Sequence, residues 1–220
     1  MTALILASAS PRRRELLALG GWAFTLRPVE VAENPLADEN PADFVRRMSQ
    51  LKAQAAADGF GPGAFVIGAD TIVTLENRII GKPADGRAAL NLLGELRGRA
   101  HEVLTGLTVI DTTTHQTYTD LARSSVPMRA YRDDEMQAYV ASGDPLDKAG
   151  AYAIQHPEFQ PVDRARFADC FANVMGLPLC HLLRRLRRLG VEPVYDLPGM
   201  CQTFLAYACP VSDVILKEEF

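Results

Sequence analysis

The first twenty residues constrain the fold of this chain more than any later segment. Residues 3–7 are apolar and predict a short strand, after which Ser10 and Pro11 predict the start of a helix. Serine is a favoured N-cap residue, and proline suits the first helical position because its missing N–H costs nothing there. Three arginines, residues 12–14, fill the first turn, and Ser8 precedes it. Backbone N–H groups, hydroxyls and guanidinium groups would converge on an anion, which predicts a phosphate-binding site; a capped surface helix with a basic face is the alternative.

A carboxylate at the end of a predicted buried strand is the second informative feature. Residues 64–67 are apolar, and Asp70 follows them within the motif GADTIV. Carboxylates are rarely buried without a partner, and ligand-binding groups in open α/β sheets gather at strand ends. Lys82 stands twelve positions later, between a glycine and a proline. Residues 71–80 predict a hairpin with a turn at residues 76–77, which could fold Lys82 back toward Asp70.

These motifs, taken in chain order, resemble the Maf family of nucleoside triphosphate pyrophosphatases. The resemblance spans residues 3–189, which is most of the chain. It rests on LASASPRRRELL (6–17), SQLKAQA with Lys52 (49–55), GADTIV (68–73), IGKP (80–83), HEVLTG (101–106), DKAGAYAIQ (147–155) and NVMGLPL (173–179).

The resemblance implies both a fold and a reaction. The implied fold is mixed α/β and similar to that of ITPases, with a central twisted mixed sheet flanked by helices in an elongated molecule that has a cleft between two lobes. The implied reaction is hydrolysis of the bond between the α and β phosphates, which releases a nucleoside monophosphate and pyrophosphate. Members of this family are often homodimers, so a homodimer is expected.

Three positions are similar to the signature of family members that act on dTTP and UTP. A glutamine amide can both donate to and accept from the edge of a pyrimidine, and a threonine adds a hydroxyl and a methyl group. Residues 156–171 depart from the usual family pattern, which bears on the base pocket more than on the bond cleaved. The three signature positions are Arg12, Thr71 and Gln155, and the full set of expected substrate-binding residues is Ser8, Arg12, Arg13, Lys52, Thr71, Lys82 and Gln155.

A triphosphate substrate requires several positive charges. One ion pair at about 4 Å near a protein surface is worth on the order of 4 kcal/mol before desolvation is subtracted, so one cation does not suffice. Arg13, Lys52 and Lys82 together with a divalent metal would form an adequate clamp. Mg²⁺ and Mn²⁺ prefer carboxylate and phosphate oxygens, so Asp70 and Glu33 are the expected metal ligands. Asp70 is also the expected catalytic residue, because it could accept the proton of the attacking water.

Composition and missing motifs exclude several other classes of function. The net charge of −4 disfavours a nucleic-acid binder, and no apolar run approaches the length that spans a bilayer. We expect no signal peptide and no membrane association, and therefore a cytoplasmic protein. The four cysteines form no C-x-x-C pair and are expected to be incidental thiols. Pro83 after the glycine–lysine pair excludes a Walker A loop.

The remaining pattern predicts one mixed α/β domain, residues 1–189, followed by a C-terminal extension of unknown role, residues 190–220. Helices are predicted from Asn40, from Asp85 and over 132–141 and 177–189, and strands over 103–110 and 118–128. The apolar stripe predicted for the helix from Asn40 is Phe44, Val45, Met48, Leu51 and Ala55.

Two basic features of these helices have an ordinary explanation. Lys52 lies outside the predicted apolar stripe, where a solvated lysine is usual, and only the family resemblance gives it a role. The arginines within residues 184–188 are predicted to form a solvated helix face. A non-catalytic nucleotide-binding regulator that contacts a cell-division partner through this face or through the extension is the alternative function. The presence of Asp70 and Lys82 favours the enzyme, because a pure binder gains nothing from a carboxylate beside a polyanion unless a metal bridges them.

Overall fold

A computed structural model describes residues 3–218, which form a mixed sheet with helices on both faces. The strands are β1 (Ala3–Leu6), β2 (Phe24–Leu26), β3 (Ala64–Leu75), β4 (Arg78–Ile80), β5 (Ala100–Asp111) and β6 (Thr117–Pro127). The helices are α1 (Pro11–Ala18), α2 (Pro41–Ala57), α3 (Gly86–Leu96), α4 (Asp133–Ala141), α5 (Phe171–Met175), α6 (Leu179–Arg188), α7 (Leu197–Leu205) and α8 (Ser212–Lys217), with short 3₁₀ segments at Asp144–Asp147 and Ala149–Ala151.

The sheet order is β2-β1-β3-β5-β6, with β4 paired to β3. β1 runs parallel to β2 and β3, whereas β5 is antiparallel to β3 and β6. The predicted mixed α/β class, with a mixed sheet flanked by helices, is therefore confirmed.

One edge of β3 is open in its middle, and this opening positions the site. β1 pairs with β3 as far as Ile67, and β4 pairs on the same edge from Val73 onward, while β5 covers the opposite edge. Among the described residues 3–218, positions 68–72 of β3 therefore have no paired strand on that edge, because β1 pairing ends before them and β4 pairing begins after them. The predicted hairpin is confirmed, and its turn residues Glu76 and Asn77 have φ values of 52° and 63°, as a type I′ turn requires.

Two glycines of the sheet allow α2 to approach it closely. A Cβ atom at Gly68 would lie 2.4 Å from the carbonyl oxygen of Ser49, and one at Gly106 would lie 2.1 Å from that of Val45. Any larger residue at either position would therefore push the helix off the sheet. The close approach brings the second half of α2 directly over the middle of β3.

The buried face of α2 differs from the predicted stripe in this second half. Phe44, Val45 and Met48 are buried as predicted, but Leu51 is 42% exposed. The stripe continues instead through Ser49, Ala53 and Ala56. Lys52 belongs to this inward face, and its side chain is only 12% exposed, so the alternative of a solvated lysine is excluded. Its partner is a carboxylate of β3, which a hydrophobicity pattern does not reveal.

The predicted solvated basic face of α6 is wrong for Arg184 and Arg185, whereas Arg187 and Arg188 are exposed as predicted. Arg184 is buried and donates to the carbonyl oxygen of Ile215, 2.9 Å away, and to Glu218, 2.6 Å away. Arg185 forms a two-pronged pair with Asp120 of β6, with both N···O distances 3.2 Å. These arginines therefore fasten the C-terminal extension and the sheet to α6.

The C-terminal extension packs on the main apolar core. Leu197, Cys201 and Leu205 of α7 are buried in the same cluster as the sheet residues. Tyr207 packs with tilted rings against Phe167 and Phe171, at ring-centroid distances of 5.3 and 5.5 Å. Among residues 3–218, the helices are all too short or too polar to cross a membrane.

Candidate active site

A cavity at the open edge of β3 collects most of the residues predicted from the sequence. It lies between the start of α1, the middle of β3, the β3–β4 hairpin and the end of α5. Ser8 lines an adjoining cavity that shares Arg13, Glu33 and Lys52 with the first. The predicted residues that line the main cavity are Arg12, Arg13, Glu33, Lys52, Asp70, Thr71, Lys82 and Gln155.

Lys52 links two carboxylates at the floor of this cavity. Its Nζ lies 2.6 Å from Oδ1 of Asp70 and 2.5 Å from Oε1 of Glu33. Asp70 is 6% exposed, whereas the side chain of Glu33 is 54% exposed. Partial burial alone would raise the pKa of Glu33, but the hydrogen bond and charge of Lys52, with the charges of Lys82 and Arg13, lower it below its ordinary value. Glu33 is therefore ionised near neutral pH, and its oxygens are available as ligands.

Arg13 is held in a fixed orientation by three different elements. Its Nε donates to the carbonyl oxygen of Gly176 at 2.7 Å, its Nη2 to Oγ1 of Thr71 at 3.0 Å, and its Nη1 to Oγ of Ser8 at 3.4 Å. Burial lowers the pKa of Arg13, and the charge of Asp70 partly offsets this effect. Arginine nevertheless stays protonated, so a permanent, pre-oriented positive charge faces the cavity.

The start of α1 forms as the sequence predicts. Ser10 is the N-cap, and its side chain accepts from the backbone N–H of Arg13 at 3.5 Å, while Pro11 is the first helical residue. Ser8 is buried and accepts from the backbone N–H of Ser10 at 3.2 Å as well as from Arg13. The hydroxyl of Ser8 therefore helps to hold both the loop before α1 and the guanidinium group of Arg13 in place. A direct contact between Ser8 and substrate stays a prediction.

Gly176 is a site residue whose role the sequence did not reveal. It ends α5 with φ 109°, a conformation that L side chains rarely adopt. A Cβ atom there would lie 3.4 Å from both Nε of Arg13 and Oγ1 of Thr71. Its carbonyl oxygen accepts from both side chains, although the Thr71 distance is long at 3.4 Å. The motif NVMGLPL was recognisable, but only the fold shows that its glycine carbonyl orients Arg13.

Two of the predicted residues lie at the exposed rim of the cavity. Lys82 and Gln155 are both exposed and line the cavity. The carbonyl oxygen of Gly81 accepts from the N–H of Gly150 at 3.1 Å, which ties the β3–β4 hairpin to the segment that leads to Gln155. The hairpin thus brings Lys82 and Asp70 to one cavity, as the spacing suggested.

Two further polar residues of the wall were not selected from the sequence. Lys148 is 8% exposed, and its Nζ contacts the carbonyl oxygen of Asp144 at 2.6 Å and Oδ1 of Asp147 at 2.6 Å. Tyr152 is buried, and its hydroxyl hydrogen-bonds Nε2 of His101 at 2.7 Å. Burial lowers the pKa of His101 to about 4, so this histidine is neutral and structural.

The donor set fits a hard divalent cation that is shared with a substrate. Asp70 and Glu33 supply carboxylate oxygens on either side of Lys52. Within residues 3–218, no group of three or more His, Cys, Asp or Glu side chains is arranged to hold a metal alone. Mg²⁺ is usually bound through one or two carboxylates together with substrate phosphates and water, so two carboxylates in a cationic cavity match its requirements.

Known proteins match most of this chain. The family model described as Maf-like protein matches residues 3–189. The dTTP/UTP pyrophosphatase of Geotalea uraniireducens is 46% identical over 187 residues, which cover 85% of this chain and 95% of that protein. The dTTP/UTP pyrophosphatase of Geobacter metallireducens is 44% identical over 187 residues, with 85% and 96% covered.

Two solved structures also align with part of the chain. The Staphylococcus aureus Ham1 protein aligns with a TM-score of 0.41 and 15% identity, over 58% of this chain and 72% of that one. A nucleoside-triphosphatase, also titled dITP/XTP pyrophosphatase, of Mycobacterium abscessus aligns with a TM-score of 0.36 and 14% identity, over 59% and 75%.

Proposed function

Because this chain belongs to the family of Maf-like proteins, we propose that it is a nucleoside triphosphate pyrophosphatase that hydrolyses dTTP and UTP. The products are the nucleoside monophosphate and pyrophosphate. The observation that carries the proposal is the cluster of Asp70, Lys52 and Glu33 at the floor of a cavity lined by further cations. The relatives named dTTP/UTP pyrophosphatases support the reaction class and the pyrimidine substrates. They do not favour the alternative of a non-catalytic regulator.

The cations of the cavity bind the triphosphate. Arg13 offers a guanidinium group that is already oriented by Gly176 and Thr71, so little side-chain entropy is lost when it contacts a phosphate. Lys82 and Arg12 add charge from the rim and from the first turn of α1. Each ion pair at about 4 Å contributes on the order of 4 kcal/mol before desolvation is subtracted. Several such pairs are required to hold the charge of a triphosphate.

Asp70 and Glu33 are the residues that would hold Mg²⁺ or Mn²⁺. A bound divalent cation neutralises phosphate charge and lowers the pKa of a coordinated water. Asp70 has a second role available, because its carboxylate can accept the proton of the attacking water at the cavity floor. Lys52 holds both carboxylates in position beside the phosphates, since its ammonium group contacts each of them.

Gln155, Thr71 and Arg12 are the proposed basis of the pyrimidine preference. The amide of Gln155 is exposed at the cavity rim and can donate and accept at the edge of a uracil or thymine ring. Thr71 bonds Oγ1 of Thr105 at 2.9 Å and Arg13 at 3.0 Å, so its position is well defined.

The proposal is tested by incubating the purified protein with Mg²⁺ and a panel of canonical and modified triphosphates, followed by chromatography of the products. Monophosphate with pyrophosphate, formed fastest from dTTP and UTP, is the expected result. Diphosphate with orthophosphate would contradict the cleavage site. Tight binding of triphosphate without turnover, at every divalent metal tried, would support the regulator instead.

Three further properties complete the proposal. The catalytic domain is taken as residues 1–189 and the extension as residues 190–220, of which residues 1–2 and 219–220 lie outside the described part of the chain. A homodimeric state and a cytoplasmic location without nucleic-acid or membrane partners stay predictions. Light scattering during size-exclusion chromatography tests the first of these, and fractionation of cells tests the second.

A further inference from the structure

All four cysteines of the chain line one small cavity between the domain and its extension. Cys170 precedes α5, Cys180 lies in α6, Cys201 lies in α7 and Cys209 lies between α7 and α8. Apart from Gln202 and Ser212, the other lining residues are apolar or aromatic, and none of them lines the active-site cavity. The sequence, in which no two cysteines are closer than eight residues, gives no sign of this convergence.

The four thiols differ sharply in their surroundings. A hydrogen bond with Cys170, with help from the backbone N–H groups of Val211 and Ser212, lowers the pKa of Cys209 to about 6 despite its partial burial. The same hydrogen bond, together with burial, raises the pKa of Cys170. Burial raises the pKa of Cys180 and of Cys201 to about 12. Cys209 is also only partly buried, whereas the other three are buried. Cys209 is therefore the cysteine of this cluster that combines access to solvent with a lowered pKa, and its hydrogen-bond partner is Cys170.

We propose that Cys209 and Cys170 form a hydroperoxide-sensitive thiol pair that links the C-terminal extension to α5 and lowers the activity of the enzyme. In the first step the Cys209 thiolate attacks the peroxide oxygen. An S–O bond forms, the O–O bond breaks, and hydroxide or an alkoxide leaves and takes a proton from water, so the sulfur is oxidised to sulfenic acid while the peroxide is reduced. In the second step the sulfur of Cys170 attacks that of Cys209. An S–S bond forms, the S–O bond breaks, and the Cys170 proton leaves with the oxygen as water.

Helix α5 connects this thiol pair to the active site. The sulfur of Cys170 is the N-cap of α5 and accepts from the backbone N–H of Asn173 at 3.4 Å. Helix α5 ends at Met175, five residues after Cys170, and both Met175 and the C-cap residue Gly176 line the active-site cavity. The carbonyl oxygen of Gly176 orients Arg13 at 2.7 Å. A disulfide draws the Cys170 sulfur away from the N–H of Asn173, so α5 loses its cap and the acceptor that fixes Arg13 shifts.

The test starts from the fully reduced, full-length protein treated with hydrogen peroxide and then with an alkylating reagent. We expect loss of two thiols, a disulfide between Cys170 and Cys209, and a fall in triphosphate hydrolysis of about tenfold, the effect expected when Arg13 loses one charge-assisted hydrogen bond. Reduction with dithiothreitol restores the activity. Trypsin leaves Cys170 with Cys180 on one peptide and Cys201 with Cys209 on another, so variants are needed to assign the bond.

Matched serine variants make the assignment. Cys209→Ser retains the basal activity, forms no disulfide with Cys170 and resists inactivation by peroxide. Cys201→Ser, the matched control in the same cavity, behaves like the wild type. A bond that persists in Cys209→Ser, or an absence of any disulfide in the wild type, overturns the thiol pair. A Cys170–Cys209 bond with unchanged activity overturns the coupling through α5. The activity readout rests on the proposed function; if untreated protein hydrolyses no triphosphate, that function fails while disulfide mapping still decides the thiol pair.

Discussion

Two aspartates of the sheet, Asp70 and Asp120, are equally buried and paired with cations, yet their settings differ. Each is 6% exposed. Asp70 contacts Lys52 at 2.6 Å and faces a cavity that other cations also line. Both carboxylate oxygens of Asp120 accept hydrogen bonds from Arg185, and Asp120 does not line that cavity. Burial and pairing alone therefore do not identify a catalytic carboxylate. What distinguishes Asp70 is the adjacent space with additional positive charge, which a polyphosphate would fill.

The largest effect that separates the two aspartates is expected for Asp70→Asn. This change keeps the shape but removes the charge that would hold a metal or accept a proton, and such groups contribute roughly 10²–10⁴-fold to a rate. We expect kcat for dTTP to fall by about 10³-fold with thermal unfolding nearly unchanged, because Lys52 keeps Glu33 as a partner. Steady-state kinetics and calorimetry on the same preparation measure both. Activity close to that of the wild type would contradict the proposed role of Asp70 as a metal ligand and catalytic residue.

The matched change Asp120→Asn is expected to affect stability instead. Removing one partner of a buried ion pair leaves Arg185 without its two-pronged acceptor, and such changes cost about 3 kcal/mol or more. Urea unfolding measures this loss. At a temperature where the variant remains folded, kcat/KM should stay within about twofold of the wild type, since Asp120 lies outside the active-site cavity. A selective loss of kcat in the folded variant would erase the distinction between the two aspartates.

Arg13→Lys tests whether the geometry of a cation in the cavity matters in addition to its charge. Lysine keeps the charge but lacks the planar fork that contacts Gly176 and Thr71 at the same time. We expect kcat/KM to fall by about tenfold, the effect of one lost charge-assisted hydrogen bond. The control is Arg14→Lys, on the same helix at an exposed position, which should leave the kinetics unchanged. Equal kinetics for wild type and Arg13→Lys would show that only the charge matters.

Local signals in the sequence predicted the elements well. The cap residues Ser10, Asn40 and Asp85 each accept a backbone N–H at the start of a helix. Glu76 and Asn77 form the predicted hairpin turn. Each of these features depends on interactions within a few residues, so the sequence pattern contains the information needed.

Hydrophobic periodicity did not predict the inward-facing cations of two helices, because their partners are remote in sequence. Gly68 and Gly106 let α2 approach the sheet closely. Lys52 therefore points toward the sheet, where it forms an ion pair with Asp70 of β3. Arg184 turns inward because Ile215 and Glu218 of the extension return to it. Hydrophobic periodicity assigns every charged residue to the solvent, and only the fold shows which charges meet a buried partner.

Tyr152 and His101 extend the comparison to a buried titratable pair behind the cavity wall, where we expect the smallest effect. The folded-state pKa of His101 is lowered to about 4 from an ordinary value of 6.5, so between these values the unfolded chain binds the extra proton. Stability contributed by the neutral ring is therefore fully present above pH 6.5 and is lost as the pH falls toward 4.

His101→Gln keeps a hydrogen-bond partner for Tyr152 but cannot titrate. Across this window its free energy of unfolding, measured with urea, should fall less steeply than that of the wild type, by up to about 1.4 kcal/mol per pH unit. Parallel pH dependences for the two proteins would mean that His101 is protonated without cost in the folded state. The dependence of kcat on pH should be the same in both, because the ring of His101 is held behind Tyr152 and does not line the cavity.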